Sequence, residues 1–187
     1  MVFVVALAAV SLEKKSAYEA VYRPSGQDLT FSLLGALGLI AGCVLSFRGS
    51  IAQMLVSLLG LLAGLSLGAG AVLRWKEKKP SAAFSVFVVL FYVAKLFRDF
   101  RHWEINPAIL DYCFSLFAMI AFMLASYHAG AFSFERGARR RLAFYSLLGV
   151  LFGAISLAGA QLPELLIYAG SVFWMLACAQ QMLRRSV

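Results

Sequence analysis

Seven ionisable side chains stand close together in an otherwise hydrocarbon-rich chain. They are Lys95, Arg98, Asp99, Arg101, His102, Glu104 and Asp111, in the stretch YVAKLFRDFRHWEINPAILDYCF at 92–114. Arginines such as Arg98 and Arg101 present forks of donors that match an anionic ligand. His102 can add pH sensitivity. Lys95 and Asp111 can pair, or can line a polar pocket with Ser115, one helical turn beyond Asp111. Lys95, Arg98, Arg101, His102, Asp111 and Ser115 therefore form the candidate ligand-binding set.

Catalytic chemistry is poorly supplied by comparison. The chain has no HExxH, P-loop or dinucleotide fingerprint. YAGS at 168–171 falls short of the GxSxG pattern. Asp111 is the one acid inside an expected span, so a pair of intramembrane aspartates is not expected. Cys43, Cys113 and Cys178 lie in apolar runs without a CxxC or Cys/His cluster, which reads as helix packing rather than metal binding. His102 and His128 belong to opposite ends of the molecule. No enzyme, cofactor or metal site is expected.

The elements that must position these groups follow from hydropathy. The chain has 187 residues, of which 62% are hydrophobic and 14% charged, and its mean hydropathy is +0.83. Apolar runs long enough to cross a bilayer recur throughout, without the alternation of barrel strands. The expected fold class is all-α. It is a polytopic transmembrane helix bundle, one integral-membrane domain over 1–187, with spans near 29–47, 51–73, 81–97, 107–129, 142–160 and 165–183. The opening MVFVVALAAVSLEKK is apolar for too short a distance to cross, and its charge follows the apolar region, unlike a signal peptide. It reads as a short or tilted partial first span. A half-inserted segment, or the remnant of a helix starting upstream, are the alternatives. The tract after it, with Tyr18 and Tyr22, reads as interfacial.

The net charge of +8 has a membrane explanation. Lys14, Lys15 and Arg23, then Arg74, Lys76, Lys78 and Lys79, then Arg136, Arg139, Arg140 and Arg141, and finally Arg184 and Arg185 all fall on one side. Arg48, Arg98 and Arg101 fall on the other. Cytoplasmic loops are the basic ones. The expectation is a bacterial-type cytoplasmic membrane, a cytoplasmic C-terminus and an outward-facing charged hairpin. Expected partners are the lipid bilayer, anionic lipid at the cytoplasmic loops and a membrane protein; nucleic acid is not expected.

Four-residue glycine spacing marks faces where helices approach closely. It occurs at Gly38–Gly42, at Gly60, Gly64 and Gly68, and at Gly149–Gly153. In the hairpin, Asn106-Pro107 forms a helix start. Lys95 and Asp111 then lie at matching depth on antiparallel neighbours, about one turn below the outer surface. A lone charge at the membrane centre costs about 2.5–3.5 kcal/mol, so a Lys95–Asp111 ion pair is expected. Phe97, Phe100 and Trp103 recur every three residues, with the hairpin's other charges between them. That pattern reads as an amphipathic helical turn, with a continuation of the fourth helix bending into the interface as one form of it, and as a rim whose charges, Asp99 included, reach water and headgroups.

In length and span count the chain resembles the substrate-capturing subunits of bacterial vitamin transporters; no motif carries the resemblance, so it implies no residue role. Two functions remain open. One is a protein that binds a small solute, or helps to transport it, through an external-facing polar site. The other is a structural or regulatory subunit without a substrate of its own, acting through helix packing and basic cytoplasmic loops. The charge pattern makes one outcome checkable at once: a reporter fused after Arg141 should read cytoplasmic, and one near Trp103 external. Both on the same side would break the span assignment.

Overall fold

The computed structural model describes residues 25–47, 50–103, 109–134 and 137–183. The N-terminal expectations for residues 1–24, and the side chains of His102, Trp103 and Asp111, lie outside the described set. Every element among the described residues is helical. The long helices are α1 (Gly26–Leu45), α2 (Ile51–Trp75), α3 (Ala82–Trp103), α4 (Ile109–Ala131), α5 (Arg139–Ser156) and α6 (Leu162–Leu183). Two single 3₁₀ turns, Phe132–Phe134 and Leu157–Gly159, extend α4 and α5. Five of these helices are long and apolar enough to cross a membrane; α3 is the one set apart, because its last turns carry the charged cluster. The expected spans and the observed helices coincide to within a few residues, with one consequential exception. The span expected to end at 97 continues as unbroken helix to Trp103.

Local chemistry explains several boundaries. Ser50 caps α2, its hydroxyl accepting from the Gln53 amide at 3.4 Å. At the other end of α2 the Lys78 amide reaches back to the Leu73 carbonyl at 2.9 Å, and the Glu77 amide to that of Arg74 at 3.0 Å. Glu77 has φ 55°, the left-handed conformation that this closing motif requires. Pro80 follows and prevents continuation. α1 starts at Gly26, earlier than expected, and so takes Asp28 into its first turn.

Each helix packs on its neighbours in sequence, and α6 returns to pack on α1, which closes a ring of six. Glycine makes that closure. A Cβ on Gly38 would stand 2.8 Å from the Gly170 Cα, and one on Gly170 would stand 2.7 Å from both the Gly35 carbonyl and the Leu39 amide. The two backbones touch there. Gly42 meets the Pro163 carbonyl at 2.8 Å by the same measure. On α2, Gly60 lies against Cys43 and Phe91, and Gly64 against Ile40. Gly68 has room, its nearest neighbour at 3.7 Å. Gly149 and Gly153 receive the Phe122 ring.

Inside the ring, Phe91, Tyr92, Met119, Phe122, Tyr168 and Met175 form a solid centre. Tyr92 lies 5.5 Å from Phe122 between ring centroids, and Phe122 lies 6.4 Å from Tyr168. Outside it, large apolar side chains are exposed, among them Leu37, Leu55, Leu65, Phe114 and Phe117. Exposed Leu and Phe on the outer face, with glycines at the helix contacts, fit a membrane protein whose outside is covered by lipid. The ends also sort as the charge pattern requires. Arg74 meets Asp28 at 3.7 Å, Ser133 bonds the Pro80 carbonyl, Gln180 bonds Gln27, and Arg139 bonds the Met182 carbonyl. These contacts tie the basic loops to one end.

The α1–α6 contact generates a stability test. Gly170→Leu should lower stability by at least about 1–3 kcal/mol, because the two backbones must separate. Gly68→Ala should be neutral, or stabilising by up to about 1 kcal/mol through helix propensity. Apparent melting temperatures of the two purified variants check this; equal losses would discount the seam.

Candidate functional site

Continuing α3 through the rim changes what its charges touch. Lys95 and Asp99 are one turn apart on one helix, the spacing at which side chains meet. The Lys95 ammonium donates to Asp99 Oδ2 at 2.7 Å. Arg98 donates to Asp99 Oδ1 through Nε at 2.8 Å and lies 2.6 Å from it through Nη2. Both carboxylate oxygens are thus engaged. The pair is buried, the Lys95 side chain being 2% exposed and that of Asp99 5%. This corrects the expectation that Asp99 belongs to a solvated rim. The carboxylate recorded on Lys95 is that of Asp99, whereas the side chain of Asp111, its expected partner, lies outside the described set.

α6 supplies the facing wall. Tyr168 sets its ring 5.9 Å from the Lys95 ammonium, within reach of a cation–π attraction. Ser115 of α4 borders the same space as Tyr168. Glu164, in the first turn of α6, stands 4.0 Å from Arg98 Nη2. One turn deeper on α3, Tyr92 donates to Ser171 at 2.8 Å, and Ser171 donates to the Ile167 carbonyl at 2.7 Å. That chain of hydroxyls is satisfied, and the aromatic centre begins there.

Two neighbouring spaces lie beside these residues. The outer one is a funnel of about 1490 Å³ bordered by Arg98, Asp99, Arg101, Ser115, Glu164 and Tyr168. The inner one, about 180 Å³, is bordered by Lys95, Arg98, Glu164, Ser57, Gln53 and Cys43. Gln53, Arg98 and Glu164 border both. Of the six candidate residues, the structure brings Lys95, Arg98, Arg101 and Ser115 to this one end. His102 and Asp111 contribute backbone alone among the described residues. Asp99, Glu164, Tyr168, Ser57 and Gln53 are additions. The Lys95–Asp99 spacing was readable as an i, i+4 pair, but ending the span at 97 separated its two members. No local signal placed Glu164, which arrives from the far end of the chain.

A second buried polar group occupies the opposite end. Asp28, 6% exposed, accepts from Ser32 at 3.4 Å, and Ser32 also accepts from Arg74 at 3.3 Å. It ties α1 to α2 and borders no large space. His128 stacks on Tyr145 with ring centroids 5.3 Å apart, far from the α3 cluster. Among the described residues no three His, Cys, Asp or Glu side chains converge on a point that could hold a metal ion. No family model, characterised protein or solved structure matches the chain. The arrangement is therefore read on its chemistry alone: a polar, cation-rich cavity at one end of an apolar ring, closed below by aromatic rings.

Removing one member of a buried ion pair costs about 3–5 kcal/mol, because the survivor is left charged and dry. Asp99→Asn should therefore destabilise more than Lys95→Met, since it strands two cations instead of one carboxylate that still holds Arg98. The double variant should recover part of the Asp99→Asn loss. Unfolding of the three proteins by denaturing detergent checks the order; additive losses would mean that the two residues do not interact.

Proposed function

We propose that the chain is a multi-pass, non-catalytic protein of a bacterial-type cytoplasmic membrane, with its C-terminus in the cytoplasm, that captures a small polar solute from the outer side. The observation that carries this reading is the inner cavity, which Lys95, Arg98, Glu164, Ser57 and Gln53 border together. Binding sites are concave and hold a few well-placed polar groups. Intramembrane charges mark such sites more often than they serve packing. Orientation rests on the basic loops, which gather at the end opposite the cavity. Those loops also suit anionic lipid headgroups.

The aromatic centre bears on what capture means. Tyr92, Phe122 and Tyr168 close the ring below the cavity. Two serines deeper in the bundle spend their hydroxyls on their own helices, Ser66 on the Leu62 carbonyl at 2.7 Å and Ser126 on that of Phe122 at 2.6 Å. A conduit needs polar groups left over for the solute along its length. Capture at one end, with any passage requiring movement of a helix or a partner protein, suits this interior better.

One feature favours the structural or regulatory reading instead. Ile51, Leu55, Leu58, Leu62, Leu65 and Val72 are all exposed on α2, following the alternating four- and three-residue spacing of a helix seam. That face suits lipid or a partner helix equally.

A thermal-shift panel of small solutes on purified protein decides between the two. Capture predicts a saturable rise in melting temperature with at least one solute. Gln53→Trp, which places a bulky ring where cavity and funnel meet, should abolish that rise while leaving the ligand-free melting temperature within a few degrees. A blank panel with wild-type protein would leave the subunit reading in place.

A further inference from the structure

The charge balance of the inner cavity narrows what it can hold, given the capture reading on which this step rests. Among the described residues Lys95 and Arg98 share the one carboxylate of Asp99, so the cluster carries one positive charge in excess, with Arg98 26% exposed. A cation only partly reached by water favours a counter-ion. The counter-ion in place is a poor one. Glu164 stands 4.0 Å from Arg98, at the outer limit of an ion pair, and its side chain is 45% exposed. The donors facing it are also underused. An ammonium has three N–H groups, and Asp99 is the one acceptor on Lys95 among the described residues. Arg98 has five, and those bound to Asp99 are on Nε and Nη2.

We propose that the inner cavity binds a small monocarboxylate, which takes the place of Glu164 as the counter-ion of Arg98 and Lys95. One negative charge brings the cluster to zero. A cation would raise the excess to two, and a dianion would reverse its sign. The guanidinium fork of Arg98 suits a carboxylate, and the ammonium of Lys95 adds a second point of attachment. Ser57 and Gln53 give the wall neutral donors and acceptors for a polar substituent. A dry cavity of about 150 Å³ admits benzene, so about 180 Å³ suits a body of about six to nine non-hydrogen atoms. Displacing Glu164 costs little. It sits in the first turn of α6, where the helix dipole favours a carboxylate, and it can turn to water in the funnel it also borders.

The test uses the full-length protein in uncharged detergent and Tris-sulfate buffer, free of competing monoanions. Acetate, butyrate and benzoate are titrated beside acetamide, butyramide and benzamide, with butylammonium as the cation. At least one carboxylate should raise the melting temperature saturably while its amide and the cation do not. Glu164→Gln removes the internal competitor and should tighten the carboxylate by up to about five-fold, the range an exposed ion pair is worth. Arg98→Gln should lose binding. Should that variant fail to fold, the Glu164→Gln titration still decides, because Glu164 is exposed and lies outside the buried cluster.

Amides binding as well as acids, or weaker carboxylate binding in Glu164→Gln, would overturn the monocarboxylate assignment. Two failures are distinguishable. A neutral or cationic solute that binds wild type and is lost in Gln53→Trp leaves capture standing and removes the charge class. No binding by any solute of any class removes both.

Discussion

Backbone contact between α1 and α6 is the constraint on which the rest of the molecule depends. Gly35 and Gly38 meet Gly170 so closely that no Cβ fits at the crossing. Lipid tails are as apolar as leucine, so helices in a bilayer are not driven together by the hydrophobic effect. They associate where surfaces fit, and glycine allows the closest fit. This crossing joins the first described helix to the last and turns a chain of hairpins into a closed ring. A ring has an interior, and the interior gives α3 a protein-facing side on which Lys95 and Asp99 can be buried.

That interior is layered. Aromatic rings and methionines fill the middle, and polar clusters occupy both ends. At the basic end Asp28, Ser32 and Arg74 form a compact group beside the loops. At the other end Lys95 and Arg98 border the smaller cavity, and Arg98 and Asp99 the larger funnel. The two clusters differ in what they leave over. The first has one carboxylate for one guanidinium. Among the described residues the second has two cations for one buried carboxylate, with a cavity beside it.

Much of this was legible from residue order. Six runs of sufficient length, loops alternating in basic charge and glycines at four-residue spacing came from hydropathy and composition, because a bilayer imposes length and polarity on each span separately. The candidate site was legible in part. Lys95, Arg98, Arg101 and Ser115 were singled out and stand at one end of the ring. The rim reading failed at Asp99, since hydropathy ends a span where charges begin. A helix has no such rule, and α3 carries on for six residues past the expected end. Asp28 was left outside its span by the same reasoning, one position before the expected start, yet the helix begins at Gly26.

The sequence by itself determined that the chain is helical, about where each apolar run lies, and which loops share a side, because each of these depends on residues near one another in the chain. Only the tertiary structure decided which helix closes on which, and therefore what surrounds Lys95. Its ion-pair partner follows from helix continuity, but the Tyr168 ring, Glu164 and the cavity wall reach it from α2 and α6, elements far apart in sequence. Spacing along a chain carries no record of such neighbours. They exist because two glycine-lined backbones touch elsewhere and bring α6 round to α1.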